Sequence, residues 1–226
     1  MYDLHFHQYE VTGLNNFDLS WEKVSSLSGY YSELHSLNSD QWDEYTWDNT
    51  RFDSPMWDGE IDERWKNPES VKQIYTDLSK AVFGTRFAMT AGYLNDTSYY
   101  VWSDKWHAGI DMKSPAGTTV KNVVGGTVSW VHNNGDAKGW FIGVNSNDGN
   151  QWVYGHLNKP IVSVGSYVNI GQSLGTISGG SKANHFHLEV QPGHRYNDTN
   201  GAHPDKNFVR NVTMSPLQAF WNWKNS

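Results

Sequence analysis

Residues 126–157, GTVSWVHNNGDAKGWFIGVNSNDGNQWVYGHL, hold three short runs rich in β-branched and aromatic side chains, GTVSWVH, GWFIGVN and NQWVYGHL. Such side chains fit a pleated, half-buried surface, and the Gly, Asn and Asp clusters between them supply turns. The pattern extends both ways. TTVKNVV (residues 118–124) precedes it, and fourteen glycines between Gly109 and Gly180 suit tight turns and bulges rather than helices. Short strands at this spacing predict a mainly β domain from about Phe87 onward. At its far end SPLQAFWNW predicts a short closing helix, with Ser215 as N-cap and Pro216 in the first helical position.

The first 85 residues read differently. NPESVKQIYTDLSKAVFG predicts one helix, capped by Asn67, opened by Pro68 and ended by Gly84, with Val71, Ile74, Leu78 and Val82 on a single apolar stripe. Residues 40–63 carry nine acidic side chains against one Arg51, with Trp42, Trp47 and Trp57 among them. This reads as a solvated irregular segment with aromatic anchors. A calcium loop is the sharper alternative, but the Asp-x-Asp-x-Asp-Gly spacing is absent. Charge also divides the chain, at about residue 100. Residues 1–100 hold 17 acidic and 7 basic side chains, residues 101–226 hold 7 and 10. We therefore expect an accessory region over 1–85 and a β domain over 86–226, the former either covering a groove in the latter or serving as spacer or recognition module.

Composition removes several classes of function. With no cysteine, thiol nucleophiles, disulfides and Cys-ligated zinc are excluded, so any metal must take nitrogen and oxygen ligands. No stripe of Lys and Arg marks a nucleic-acid partner. No run of 18 apolar residues predicts a membrane span, and MYDLHFHQYE shows no signal-peptide pattern. The ten histidines are the place to look.

Three histidine motifs lie in the β-rich half. WHAGIDM places His107 four residues before Asp111, WVYGHLN places His156 at the end of a strand-like run, and NHFHLEV places His185 and His187 on alternate positions. In a straight strand the Cα atoms of His107 and Asp111 would stand ~13 Å apart, too far to share one metal. Gly109 between them permits a bend that brings the side chains together. One histidine from NHFHLEV then completes a His2Asp set. Three protein ligands leave a fourth tetrahedral position for water, as in catalytic rather than structural zinc sites.

These motifs, with the framework AGTTV…GGTV and VGSYVNIGQSLG, resemble in order and spacing the lysostaphin/LytM-type zinc metallopeptidases, mostly peptidoglycan endopeptidases. The resemblance covers about residues 100–195. It implies a two-layer antiparallel β-sheet architecture (duplicated hybrid motif-like), one Zn2+ held by His107, Asp111 and His187, and catalytic roles for His156 and His185, with His185 the base for the zinc-bound water. It further implies bacterial peptidoglycan as substrate and a secreted or periplasmic location. Two loops depart from the family pattern: Ala183-Asn184 stands where many members have Gly-Pro, and GDAKGWFIGV replaces a glycine-rich GYG turn. Both put substrate preference, more than catalysis, in question.

Other features get plainer readings. Glu189 shares a strand face with His187 and is either a surface carboxylate or a partner for a histidine N–H. His5-Phe6-His7 has no neighbouring His/Asp motif, and His35, His132, His194 and His203 read as isolated surface residues. Trp102, Trp106, Trp140 and Trp152 read as core and groove wall. The alternative to an enzyme is a non-catalytic wall-binding or regulatory module on the same scaffold, which would have no need of two extra histidines beside three ligands.

Overall fold

A computed structural model of the chain describes residues 68–94, 106–181, 183, 185–194 and 197–226. The acidic segment 40–63, the first HFH, His35, Trp102 and the Asn67 cap lie outside the described residues.

The order is α1 (Pro68–Phe83), β1 (Met89–Ala91), β2 (Trp106–His107), β3 (Gly109–Met112), β4 (Thr119–Lys121), β5 (Gly126–Asn133), β6 (Trp140–Ser146), β7 (Asn150–Leu157), β8 (Tyr167–Val168), β9 (Ser173–Thr176), β10 (Phe186–Pro192), β11 (Ala202–His203), α2 (Lys206–Val212) and α3 (Pro216–Lys224). The mainly β expectation holds. Seven strands form one antiparallel sheet in the order β1-β3-β10-β7-β6-β5-β8, flanked by two-stranded ladders β4–β9 and β11–β2. The three strand-like runs of residues 126–157 become β5, β6 and β7, which pair in succession as a meander. β10 is inserted between β3 and β7, a long-range placement that local patterning does not specify.

Alternation gives β10 two faces. Phe186, Leu188 and Val190 join the main hydrophobic core with Ile110, Ile142, Val144, Trp152 and Tyr154 from neighbouring strands. His187, Glu189 and Gln191 take the other positions and are also buried. The short ladder contributes Val120 and Leu174 to the same core.

α1 runs as its periodicity predicts and ends at Gly84, whose φ of +82° suits a residue without Cβ. Its stripe of Val71, Ile74, Leu78 and Val82, with Tyr75, is buried in the core of the sheet, and the helix packs on α3 and β4. Composition groups this helix with the N-terminal region, whereas its packing joins it to the β domain. α3 is the expected closing helix. Ser215 occupies its cap position, but the hydroxyl makes no cap hydrogen bond and is buried without a partner, so Pro216 and the packing of Leu217 and Phe220 hold the helix start.

Candidate metal centre

The register of β10 creates the site. His187 sits directly opposite Asp111 of β3 on one side and Gly155 of β7 on the other. On the Gly155 side, a Cβ would collide with the ring of Phe141 and come within 3.1 Å of the His187 Cβ, so glycine makes room for both side chains.

His107 reaches the same place from β2. The chain bends at Ala108, between β2 and β3, and His107 Nε2 lies 3.3 Å from Asp111 Oδ1. The convergence expected of WHAGIDM is present, but the role of its glycine is different. Gly109 keeps φ outside the left-handed region; it is required because a Cβ there would collide with the carbonyl of Leu188. Its service is close approach of β3 to β10, not the bend.

Three potential ligand atoms meet here: His107 Nε2, Asp111 Oδ1 and His187 Nδ1, all within 4.8 Å of one another. The separations are 3.3 Å from His107 Nε2 to Asp111 Oδ1, 2.9 Å from His187 Nδ1 to Asp111 Oδ1 and 3.2 Å between the two nitrogens. Bonds of about 2.0–2.2 Å at tetrahedral angles put neighbouring ligand atoms about 3.3–3.6 Å apart, so slight expansion of this triangle accommodates zinc. The outward nitrogens support the same reading. His107 Nδ1 is 3.1 Å from the carbonyl oxygen of Gly92, and His187 Nε2 is 3.5 Å from a Glu189 oxygen. A proton on each outward nitrogen leaves the two inward lone pairs and the Asp111 carboxylate converging on one point, an arrangement that calls for a cation.

The electrostatics of these groups show the same tension. Burial opposes charge on Asp111, yet His107, His185 and His187 outweigh it and hold the carboxyl well below the ordinary range. Burial likewise opposes the His187 imidazolium, but Asp111 and Glu189 prevail and raise it to about 9. A cation bound here competes with a proton for the same acceptors.

His156 and His185 stand beside the triad, their ring centroids 4.4 Å apart and in edge contact. His185 Nε2 is 3.5 Å from Asp111 Oδ2, the oxygen turned away from the two histidine ligands. Burial, then repulsion from the neighbouring histidines, lowers its pKa against the pull of Asp111. His156 adopts φ of +61°, a left-handed conformation costly for a non-glycine residue. Two contacts hold it: Ser178 donates its N–H to the His156 carbonyl at 2.8 Å, and His156 Nδ1 lies 2.8 Å from the Lys138 carbonyl. Since that carbonyl only accepts, Nδ1 carries the proton and Nε2 is left as a base. Burial and the adjacent His185 and His187 depress His156 to about 3. Both histidines are thus poised neutral at pH 7. The Phe141 ring, 5.1 Å from His156 and 6.4 Å from His187, backs the cluster.

All five residues singled out by sequence are therefore in one place. His132 and Asp198 pair loosely at the surface, His194 is exposed, and His203 lies against Phe208. None joins the cluster. Trp152 is core, and Trp106 and Trp140 pack at its margin. Pattern reading missed the carbonyls of Gly92 and Lys138, because any residue type supplies a carbonyl. It also missed Phe141, for which the small Gly155 before His156 was the available signal.

Residues 105–199 match the model of Peptidase family M23. Among solved structures, a mutant of the catalytic domain of the prophage-encoded M23 protein EnpA from Enterococcus faecalis is 28% identical, with 55% of this chain and 93% of that chain covered and a TM-score of 0.44. The catalytic domain of the antimicrobial peptidase lysostaphin from Staphylococcus simulans is 26% identical over 55% of this chain and 92% of that one, also at a TM-score of 0.44. A zinc-containing peptidase from Vibrio cholerae is 27% identical over 46% of this chain and 33% of that one, at a TM-score of 0.40. By the order of its histidine motifs and by the family match, the segment 105–199 is similar to Peptidase family M23.

Proposed function

We propose that this protein is a zinc-dependent endopeptidase that hydrolyses peptide bonds of bacterial peptidoglycan, in the cross-bridge or the stem peptide. The observation that carries the reading is the pairing of a three-atom ligand set with two further, neutral histidines in ring contact beside it. A bare binding module has no use for that second pair. The family match over residues 105–199 supports the peptidase class.

When bound, zinc supplies Lewis-acid activation of water and of an amide carbonyl. His107, Asp111 and His187 would hold it. His185, next to the free Asp111 oxygen, takes the proton of the attacking water and carries it toward the leaving amine. His156, its Nδ1–H held by the Lys138 carbonyl, keeps Nε2 as a proton acceptor in ring contact with His185, so the two share the handling of the proton taken from the water. The Ser178 and Lys138 contacts that sustain its left-handed backbone hold that imidazole in one orientation before substrate arrives. An extracellular or periplasmic location follows from such a substrate.

Turbidity of a peptidoglycan suspension tests the reading. We expect lysis by the zinc-loaded protein, its loss after rigorous chelation and its recovery on adding zinc back. Lysis indifferent to chelation sinks it. Mass analysis of fragments released from walls of known cross-link type then identifies the scissile bond.

A further inference from the structure

Glu189 is completely buried, two residues beyond His187 on the same face of β10. A carboxylate in that position is costly unless donors surround it. They do so here from one short segment. Thr199 Oγ1 donates to Glu189 Oε2 at 2.8 Å, the N–H groups of Asn200 and Gly201 donate to the same oxygen at 2.9 and 3.1 Å, and Asn200 Nδ2 donates to Oε1 at 2.7 Å. Gln191 Nε2 completes the shell, donating to Oε1 at 2.7 Å and to the carbonyl of Asp198 at 2.8 Å.

The same segment also reaches the other histidine ligand. The carbonyl of Gly201 accepts the N–H of Ala108 at 2.7 Å, and the next residue, Ala202, pairs with His107 in the β11–β2 ladder. Residues 199–202 thus hold Glu189, whose Oε2 stands at the ion-pair distance of 3.5 Å from the buried His187 Nε2, and run beside His107 through their own backbone. Most of this stretch lies beyond residue 199, where the family match ends.

We propose that residues 199–201 form a clamp that orients both histidine ligands of the metal centre, one through Glu189 and one through Ala108. Glu189 and Thr199 are positioning residues: they touch no reacting atom, and they fix imidazoles whose free rotation would weaken metal binding. This inference rests on the metal reading of the site but not on the identity of the substrate.

Competition with a chromophoric chelator gives the zinc dissociation constant of the full chain, and a thermal melt of the metal-free protein reports folding separately. Glu189→Gln places an amide NH2 among donors, and we expect zinc affinity to fall about 10–100-fold. Because that variant risks misfolding, Thr199→Val carries the decision. It removes one donor to a charged acceptor and leaves the backbone donors in place. We expect about tenfold weaker zinc binding with a metal-free melting temperature close to wild type. A merely structural role predicts the reverse, a lowered melting temperature with zinc affinity unchanged in the folded protein, and that result overturns the clamp. Should wild type take up no zinc, clamp and metal reading fall together. Should it bind zinc yet leave walls intact, only the proposed substrate is lost and the clamp stands.

Discussion

The carbonyl of Leu188 occupies the space that a side chain on Gly109 would need. β3 and β10 can therefore meet with Asp111 opposite His187 only while residue 109 is glycine. A Cβ on residue 109 would sit 2.2 Å from that carbonyl oxygen, so Gly109→Ala forces the strands apart by about 1 Å. We expect destabilisation of about 1–3 kcal/mol and, from misplacement of Asp111, a fall in wall lysis of about 100-fold. Denaturant melts and turbidity assays on the same preparation check both.

His185→Ala separates catalysis from binding. The three ligand atoms are untouched, so the variant should retain one zinc per chain by elemental analysis. Loss of a proton-transfer group typically costs about 10²–10⁴-fold, and wall lysis should drop by that order. Full lysis by this variant would remove His185 from the mechanism.

Acid stability should report on His156. The unfolded side chain gains its proton near the ordinary histidine value of 6.5, whereas the folded one resists until about 3. The unfolded state therefore binds more protons throughout that window. The contribution of His156 to stability is complete above pH 6.5 and drains away as pH falls toward 3. In the metal-free protein, His156→Asn, which tolerates the left-handed backbone, should lose stability less steeply than wild type between pH 6.5 and 4. Denaturant titrations at several pH values give the comparison, and parallel slopes would contradict it.

Zinc should stabilise the fold through the ligand triad. At free zinc about 100-fold above its dissociation constant, linkage gives about 2.7 kcal/mol, roughly a 5–10 °C rise in melting temperature for a domain of this size. Asp111→Ala should abolish the rise. Calorimetric scans with and without chelator measure it.

Truncation should respect α1. A chain starting at Arg86 loses Tyr75, Leu78 and Val82 from the core, on the order of 5–10 kcal/mol of apolar burial, which is comparable to the whole stability of a domain. A chain starting at Pro68 keeps that helix. We expect the shorter fragment to be insoluble or unfolded, and the longer one to melt cooperatively. Comparing wall lysis by the longer fragment and the full chain then reads the influence of residues 1–67, with equal rates excluding a covering role.

The sequence by itself determined what is local. β-Branched runs and turn residues set the β5–β6–β7 meander, the stripe from Val71 to Val82 set α1, and strand alternation put Glu189 on the face of His187. The absence of cysteine limited a metal to nitrogen and oxygen ligands, and motif order named the five site residues. Tertiary structure decided whatever depends on partners distant in the chain. Insertion of β10 between β3 and β7 set the Asp111–His187 register. The approach of Leu188 explained Gly109, where local reasoning had assigned it a bend. Packing drew α1 into the β domain although its charge environment suggested otherwise, because burial follows the apolar stripe and not the surrounding composition. The backbone groups of Gly92, Lys138 and residues 199–201 around the histidines carry no side-chain signature, and only folding brings them into reach.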